Sequence, residues 1–461
     1  MGSSNKYCII GAGPAGLVAA RALKRSGIPY DVIERNVRVG GLWDITNPGT
    51  PLYESAHFIS SKFRSAFYGY PMPAEFPDYP SHTQVLSYIT DFAEHYGLVD
   101  DVEFGREVRV VTPTVSGGWD VELDGGERRH YAGVIVASGA NWSPQVPSYP
   151  GQDEFGGDIR HVVTYRSADE LAGRRVLIVG GGNSGVDIAC DAAQRASRAW
   201  LSLRRGYRFV PKHILGVPTD VFLRGLPGSG ELRRVTPDGV VLPEDLSQLY
   251  DALSGDLTRL GLQRPDHDAY ESHPILNSQF LHHLTHGDII AKRDVARFTR
   301  DGVTFVDGSR ERVDTVLFAT GYDWRTPFLP DSLIDRAGGR PQLYLNVFHR
   351  RLDSLYFLGF VEFADAAYQR FDEMAQLIAG DIADREAGID RSEFIARKAD
   401  HHPDLRGGMN YVSSPRHASY VHSPTYQSVI RQIIERHGWG WPDEHFYDTV
   451  VPAPLGVGAP R

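Results

Sequence analysis

The sequence predicts an α/β protein built on two parallel β–α–β units. Three observations predict it. The glycine pattern G-x-G-x-x-G occurs twice, at Gly11–Gly16 and at Gly180–Gly185. Each copy is entered from a short apolar run and left through a stretch of helical composition. Each is followed by a second apolar run, which completes strand, turn, helix and strand. At about 100–200 residues per domain, 461 residues leave room for two to four domains.

The first unit opens with Lys6-Tyr7-Cys8-Ile9-Ile10, a run with the length and content of a buried strand. It enters Gly11-Ala12-Gly13-Pro14-Ala15-Gly16, and Leu17 to Arg25 reads as a helix ending at Gly27. Tyr30 to Arg35 is the second strand. Gly11 permits the tight turn, Gly13 lets the backbone approach a pyrophosphate, and Gly16 lets helix pack close to strand. The unpaired N–H groups of the helix start favour phosphate. Glu34, at the end of the second strand, is placed to accept hydrogen bonds from an adenosine ribose.

The second unit runs from Arg174–Val179 through Gly180-Gly181-Gly182-Asn183-Ser184-Gly185 into a helix over 186–193 and a strand over 199–203. This strand ends in Arg204-Arg205, not in an acid. A carboxylate there would repel a 2′-phosphate, whereas arginine forks bind one. Ser202 is expected to add a hydroxyl contact. The first site therefore reads as adenosine with free ribose hydroxyls, and the second as NADPH.

Composition narrows the function classes. Hydrophobic residues are 41% and charged residues 23%, ordinary for a globular protein, and no apolar run is long enough to span a membrane. The start of the chain carries no apolar leader core, and the expected compartment is the cytoplasm. A net charge of −10 argues against a dedicated nucleic-acid binder. Cys8 and Cys190 stand beside the two glycine turns and read as buried thiols, so no disulfide framework, zinc cluster or redox pair is expected, and no metal.

Two such units in one chain resemble the two-dinucleotide flavoproteins, in which FAD occupies the first site and NADPH the second. Further motifs narrow the resemblance. Gly40-Gly41-Leu42-Trp43 matches the G-G-x-W that follows the FAD acid in flavin-containing monooxygenases. Phe155 to Tyr165 fits their F-x-G-x-x-x-H-x-x-x-[FY], and Asp314 to Tyr322 fits D-x-x-x-[LF]-A-T-G-Y, ending in Thr320-Gly321-Tyr322. The chain resembles that family over nearly its whole length. The resemblance implies two Rossmann-like dinucleotide-binding domains, an FAD domain with an NADPH domain inserted. It assigns cofactor contacts to Gly11, Gly13, Ala15, Gly16, Glu34, Arg35, Gly41, Leu42 and Trp43. At the second site it assigns Gly180, Gly182, Asn183, Ser184, Gly185, Ser202, Arg204, Arg205, Thr320, Gly321 and Tyr322. Related Baeyer–Villiger enzymes carry Trp, followed by Pro or Asp, where this chain has Tyr165-Arg166, which favours the N- and S-oxygenating branch.

The landmarks divide the chain into an FAD domain over 1–165, an NADPH domain over 170–322 with an insertion near 220–275, and a return to the FAD domain with a C-terminal region over 323–461. Within the last, Leu355 to Phe360 reads as a strand and Ala367 to Ala379 as a helix. Residues 141–147 read as a linker by their prolines.

The resemblance implies an FAD- and NADPH-dependent monooxygenase. Reduced flavin would form a C4a-hydroperoxide with O2 and oxygenate nitrogen or sulfur in a small molecule. Oxygen insertion beside a ketone, or a flavin reductase without oxygenation, are the alternatives. A homodimer stays open. Where family members carry T-N-x-P with an Asn facing the flavin, this chain reads Phe58-Ile59-Ser60-Ser61-Lys62. Ser61 or Lys62 is the expected replacement. His161 reads as a residue that orients the cofactor or ties the domains together, not as a proton carrier. Phe209, Phe222, Tyr250, His417, Tyr420, His422 and Tyr426 are the substrate-contact candidates, weighed against plain packing.

Overall fold

The structure, a computed structural model, describes residues 5–224, 245–414 and 416–448. The middle of the inserted subregion, 225–244, and the end of the C-terminal region, 449–461, lie outside the described residues. In chain order the elements that place the site are β1 (Tyr7–Ile10), α1 (Pro14–Arg25), β2 (Tyr30–Glu34), β3 (Val102–Phe104), β4 (Gly133–Val136) and β5 (Asp158–His161). They continue with β6 (Arg175–Val179), α2 (Asn183–Arg195), β7 (Arg198–Ser202), β8 (Ile289–Lys292), β9 (Thr315–Phe318), β10 (Leu355–Phe357) and α3 (Tyr368–Glu386).

Two sheets form. In the first, β10, β4, β1, β2 and β3 pair side by side and parallel, and two short antiparallel strands extend the β10 edge. In the second, β8, β7, β6, β9 and β5 are all parallel. The plan is the same in both. A glycine turn follows the central strand, and a three-stranded antiparallel meander (108–131 in one, 295–312 in the other) precedes the strand that returns beside it.

The alternation of side chains explains why these runs are apolar throughout. Tyr7 and Ile9 join a core on the helix side of the first sheet, while Cys8 and Ile10 join one against the meander. Val176 and Ile178 divide from Leu177 and Val179 in the same way. Both cysteines are buried and free, and burial pushes both thiols up.

The helices start earlier than their apolar patterns suggest. α1 begins at Pro14, where a missing N–H costs nothing, and α2 begins at Asn183, so each turn runs directly into its helix. α3 runs on to Glu386 because it is buried along most of its length. It is bolted to α1 by a buried ion pair, Arg21 to Asp372 at 2.5 Å.

The chain crosses between the units in two places, and the crossings pair. Ser143–Pro144 runs antiparallel to Tyr322–Asp323, so the expected linker is half of a two-stranded hinge. The sheet pairing also corrects the expected boundary near 165. β5 (Asp158–His161) is an edge strand of the second sheet, because it finds its parallel partner in β9. Leu52, Tyr53 and Ala56, encoded within the first unit, pack into the core of the second.

Candidate active site

The two glycine turns are built alike. Gly11 and Gly180 have φ of +106° and +115°, a region that L side chains avoid. A Cβ on either would meet a carbonyl oxygen, that of Ala137 at 2.7 Å or of Ala319 at 2.4 Å. A Cβ on Gly16 would lie 1.8 Å from the Gly11 oxygen, and one on Gly185 would lie 2.1 Å from the Gly180 oxygen. The middle glycines differ in kind. A Cβ on Gly13 meets only the Gly41 Cα, at 3.4 Å, and one on Gly182 meets nothing within 4 Å. The outer glycines let the turn close, and the middle ones leave room over a helix start. Both helices start at glycines without a side-chain cap, leaving N–H groups free for an anion.

A single cavity of about 650 Å³ runs between the units. At one end stands Glu34, only 4% exposed. Its Oε2 accepts from the Ala12 N–H at 2.7 Å, and its Oε1 accepts from the Asn36 backbone and side-chain N–H groups at 2.8 and 2.7 Å. The carboxylate is thereby fixed, with one acceptor site left on Oε2 for a ribose hydroxyl. Arg35 lies over the Trp142 ring at 5.6 Å on the same wall. Gly41, Leu42 and Trp43 form a short 3₁₀ turn held by Asn47 and Thr50, whose side chains donate to the Gly41 and Leu42 carbonyls. Trp43 packs edge-on to Phe58, Phe58 to Tyr368, and Tyr368 stacks on Phe67, giving a continuous aromatic wall.

The facing wall comes from α2. Asn183, Ser184 and Asp187 line the cavity. The Tyr53 hydroxyl and the Asn277 amide donate to Asp187 at 3.0 and 2.6 Å. Burial raises the Asp187 carboxyl, opposed by Lys212 and these donors. One helical turn on, Asp191 accepts from Ser55 at 2.6 Å and Tyr165 at 2.8 Å. These bonds tie residues 53–55 of the first unit to the helix of the second.

His161 joins β5 to the hinge. Its Nδ1 accepts from the Val163 N–H, which leaves the proton on Nε2 to donate to the Gly321 carbonyl at 3.1 Å. Burial pushes its pKa down to about 4 despite that bond. It is a neutral structural tie.

Comparison with known proteins agrees with this geometry. The family described as flavin-binding monooxygenase-like matches residues 4–379. Flavin-containing monooxygenase 5 of Oryctolagus cuniculus is 31% identical over 382 residues, 78% of this chain and 70% of the relative. Indole-3-pyruvate monooxygenase YUCCA1 of Oryza sativa subsp. japonica is 31% identical over 368 residues, 77% and 86% of the two chains. The chain belongs to the flavin-binding monooxygenase family. Solved structures share the fold. An open form of cyclohexanone monooxygenase superposes with a TM-score of 0.70 at 18% identity, covering 95% of this chain and 98% of that one. The S-allyl-L-cysteine S-oxygenase of Allium sativum gives 0.64 at 20%, covering 96% and 90%.

This flavin monooxygenase uses FAD and NADPH. The residues present fit two dinucleotides, since both glycine cradles are open where a pyrophosphate approaches. Of the residues expected from sequence, Gly11, Gly13, Ala15, Glu34, Arg35, Gly41, Leu42, Trp43, Asn183, Ser184 and Tyr322 line the cavity. Gly16, Gly180, Gly182 and Gly185 shape the turns behind it. Thr320 and Gly321 belong to the hinge, where the Thr320 hydroxyl donates to the Gln145 carbonyl.

Other expectations are redirected. Ser61 and Lys62 do not line the cavity. Ser61 is buried with its N–H on Asp220, and the Lys62 ammonium is held by the Ala74 and Phe76 carbonyls at 2.7 and 2.5 Å. The proline-rich loop after Lys62 supplies those acceptors, while Phe58, Ile59 and Ser60 just before it stay on the cavity wall. Ser202 is buried and donates to the Arg293 carbonyl, so it offers no proton to a phosphate. Arg204 is exposed and Arg205 half-buried beside Tyr207.

Tyr250 is the one substrate candidate that lines the cavity among those read from sequence. Phe209 packs on Phe280, and Tyr426 donates to the Leu345 carbonyl. Asp187 and Tyr53 were not legible as site residues. The signal was present in Asp187 and Asp191, two acids four apart on one face of an apolar helix.

Proposed function

We propose that the first turn holds FAD, the second holds NADPH, and the enzyme transfers one atom of O2 to a nitrogen or sulfur centre of a small molecule. The observation that carries this reading is the single cavity lined by both units, with the fixed acid Glu34 on its wall and, outside that lining, Arg204 and Arg205 just past the end of β7. The overall balance is substrate, O2, NADPH and a proton giving oxygenated substrate, NADP+ and water. Bound FAD supplies the hydride acceptor and the oxygen activation. The chain does the rest. Glu34 and the glycine cradles place the two dinucleotides. The Trp43–Phe58–Tyr368 wall excludes water from the reacting end. The Tyr53–Asp187 and Ser55–Asp191 bonds hold the two walls in register.

The Tyr165-Arg166 end of the central motif supports nitrogen or sulfur over a ketone. Ketone oxygenation is the second reading, favoured by the fold shared with cyclohexanone monooxygenase. Incubation of the FAD-loaded protein with NADPH and ¹⁸O2 decides between them, using one amine, one thioether and one ketone. The expected product is an N- or S-oxide carrying one ¹⁸O. A lactone or ester alone selects the second reading. NADPH consumption without an oxygenated product from any of the three defeats both.

A further inference from the structure

His273 stands on the cavity wall where the two units face one another. Three residues on, the Leu276 N–H donates to Asn183 at the second turn. Its other neighbours come from the C-terminal segment, which lies beyond the residues that match the family. The Tyr420 hydroxyl is 2.6 Å from His273 Nδ1. The His273 backbone N–H donates to His417 Nε2 at 3.2 Å, and His417 Nδ1 is 2.7 Å from the Ser414 hydroxyl. Tyr420 itself is anchored in a short parallel pairing with Glu362–Phe363 of the first unit, and Glu362 is a further cavity residue.

These contacts fix the protons. Tyr420 is 3% exposed, and His273 is the partner of its hydroxyl. If Nδ1 carried the proton, the Tyr420 O–H would be buried without an acceptor, which is costly. Tyr420 therefore donates and Nδ1 accepts, which puts the imidazole proton on Nε2. Burial together with Arg416 and His417 holds His273 well below its ordinary pKa, so the ring is neutral, and burial holds Tyr420 well above its own. Among the described residues Nε2 has no protein partner.

We propose that His273 presents its Nε2–H to the cavity as the donor for an acceptor oxygen of a bound ligand, and that Tyr420 is the positioning residue that locks the required tautomer. The acceptor is either a carboxylate or carbonyl oxygen of the substrate or the carboxamide oxygen of NADP+. The substrate source rests on the oxygenation reading above. The tautomer lock does not.

The test uses the FAD-loaded enzyme and three probes: NADP+, S-methyl-L-cysteine, and 2-(methylthio)ethylamine, which lacks the carboxylate. Dissociation constants come from the perturbation of flavin absorbance. His273→Ala is expected to weaken one acceptor-bearing probe about tenfold, the size of one lost hydrogen bond, and to leave 2-(methylthio)ethylamine unchanged. Weakening of S-methyl-L-cysteine places the acceptor on the substrate, and weakening of NADP+ places it on the carboxamide. Unchanged affinity for both overturns the proposal. If neither thioether binds the wild-type enzyme, NADP+ alone decides by the same rule.

Tyr420→Phe keeps the ring and removes the lock. ¹⁵N spectra of histidine-labelled protein are expected to show His273 neutral with Nε2 protonated, and to show mixed tautomers in Tyr420→Phe. A protonated Nδ1 in the wild type overturns the proposal. If the affinities change as expected but no probe is ever oxygenated, the function reading fails and the role of His273 stands.

Discussion

The two glycine turns share one construction and differ at one place. Gly11 and Gly180 take the same positive φ, Gly16 and Gly185 press a helix onto the same carbonyl, and Ala137 and Ala319 close the two turns from the same side. The second strands then diverge. β2 ends in a carboxylate that is buried and held by three N–H groups. β7 ends at Ser202 and is followed by Arg204, exposed, and Arg205, half-buried. On the proposed reading, the repeated part binds a pyrophosphate over a helix start and the divergent part selects the dinucleotide. A rigid buried acid suits a cofactor that stays, and arginines outside the cavity lining suit one that arrives and leaves.

The largest effect is expected from the third glycine of each turn. Gly16→Ala and Gly185→Ala each drive a Cβ into backbone that has no flexible side chain to yield. Each should cost about 3 kcal/mol or more, read by denaturant unfolding. The comparison sharpens in the ligands lost. Gly16→Ala should purify without flavin, whereas Gly185→Ala should keep its flavin and lose NADP+ affinity. Equal loss of flavin in both would show that the two units are not separable.

A second test concerns the tie between the units. His161 has a pKa of about 4 in the folded state against an ordinary 6.5. Above pH 6.5 both states are neutral there, so it does not affect stability. As pH falls below 6.5 the unfolded chain takes up the proton first, and stability is lost down to about pH 4, by at most about 3 kcal/mol. The wild type should therefore lose more stability between pH 8 and pH 5 than His161→Gln does. Equal losses would mean that the hinge histidine is solvated.

The divergent strand ends give the third. Arg204→Ala should raise KM for NADPH roughly ten- to hundredfold while leaving NADH nearly unchanged, since one charge-assisted contact contributes about 1.5–3 kcal/mol. Glu34→Gln should weaken FAD binding and leave that cofactor ratio alone. Equal effects on both nicotinamide cofactors would move the 2′-phosphate contact elsewhere.

The sequence exposed what depends on local chemistry and hid what depends on return contacts. Both turns, both central strands and the Glu34 end were legible, because a positive φ, a close helix and a period of two each leave a residue-level mark. The starts of α1 and α2 were read three residues late, since glycines inside a first helical turn look like loop. The placement of β5 in the second sheet, the wall made by residues 43–58, and the His273–Tyr420 pair depend on chain segments far apart in sequence. No local pattern marks those meetings. Lys62 shows the converse. A charged residue where family members carry a flavin-facing Asn invites a catalytic role, and only the Ala74 and Phe76 carbonyls reveal what holds it.

The smallest effects come from the two hydroxyl and ammonium groups that sequence reasoning placed in the site and the structure places elsewhere. Ser202 sits at the end of β7 beside the arginines, yet its proton goes to the Arg293 carbonyl. Ser202→Ala should therefore leave KM for NADPH unchanged and cost about 1 kcal/mol of stability, the worth of one neutral hydrogen bond. Lys62→Ala should leave the NADPH oxidation rate of the substrate-free enzyme unchanged. Its bonds run to a loop of its own unit, away from both glycine turns. A rise in that rate, or a tenfold rise in KM with Ser202→Ala, would return either residue to the cofactors. The first of these outcomes would also show that the loop after Lys62 opens in solution.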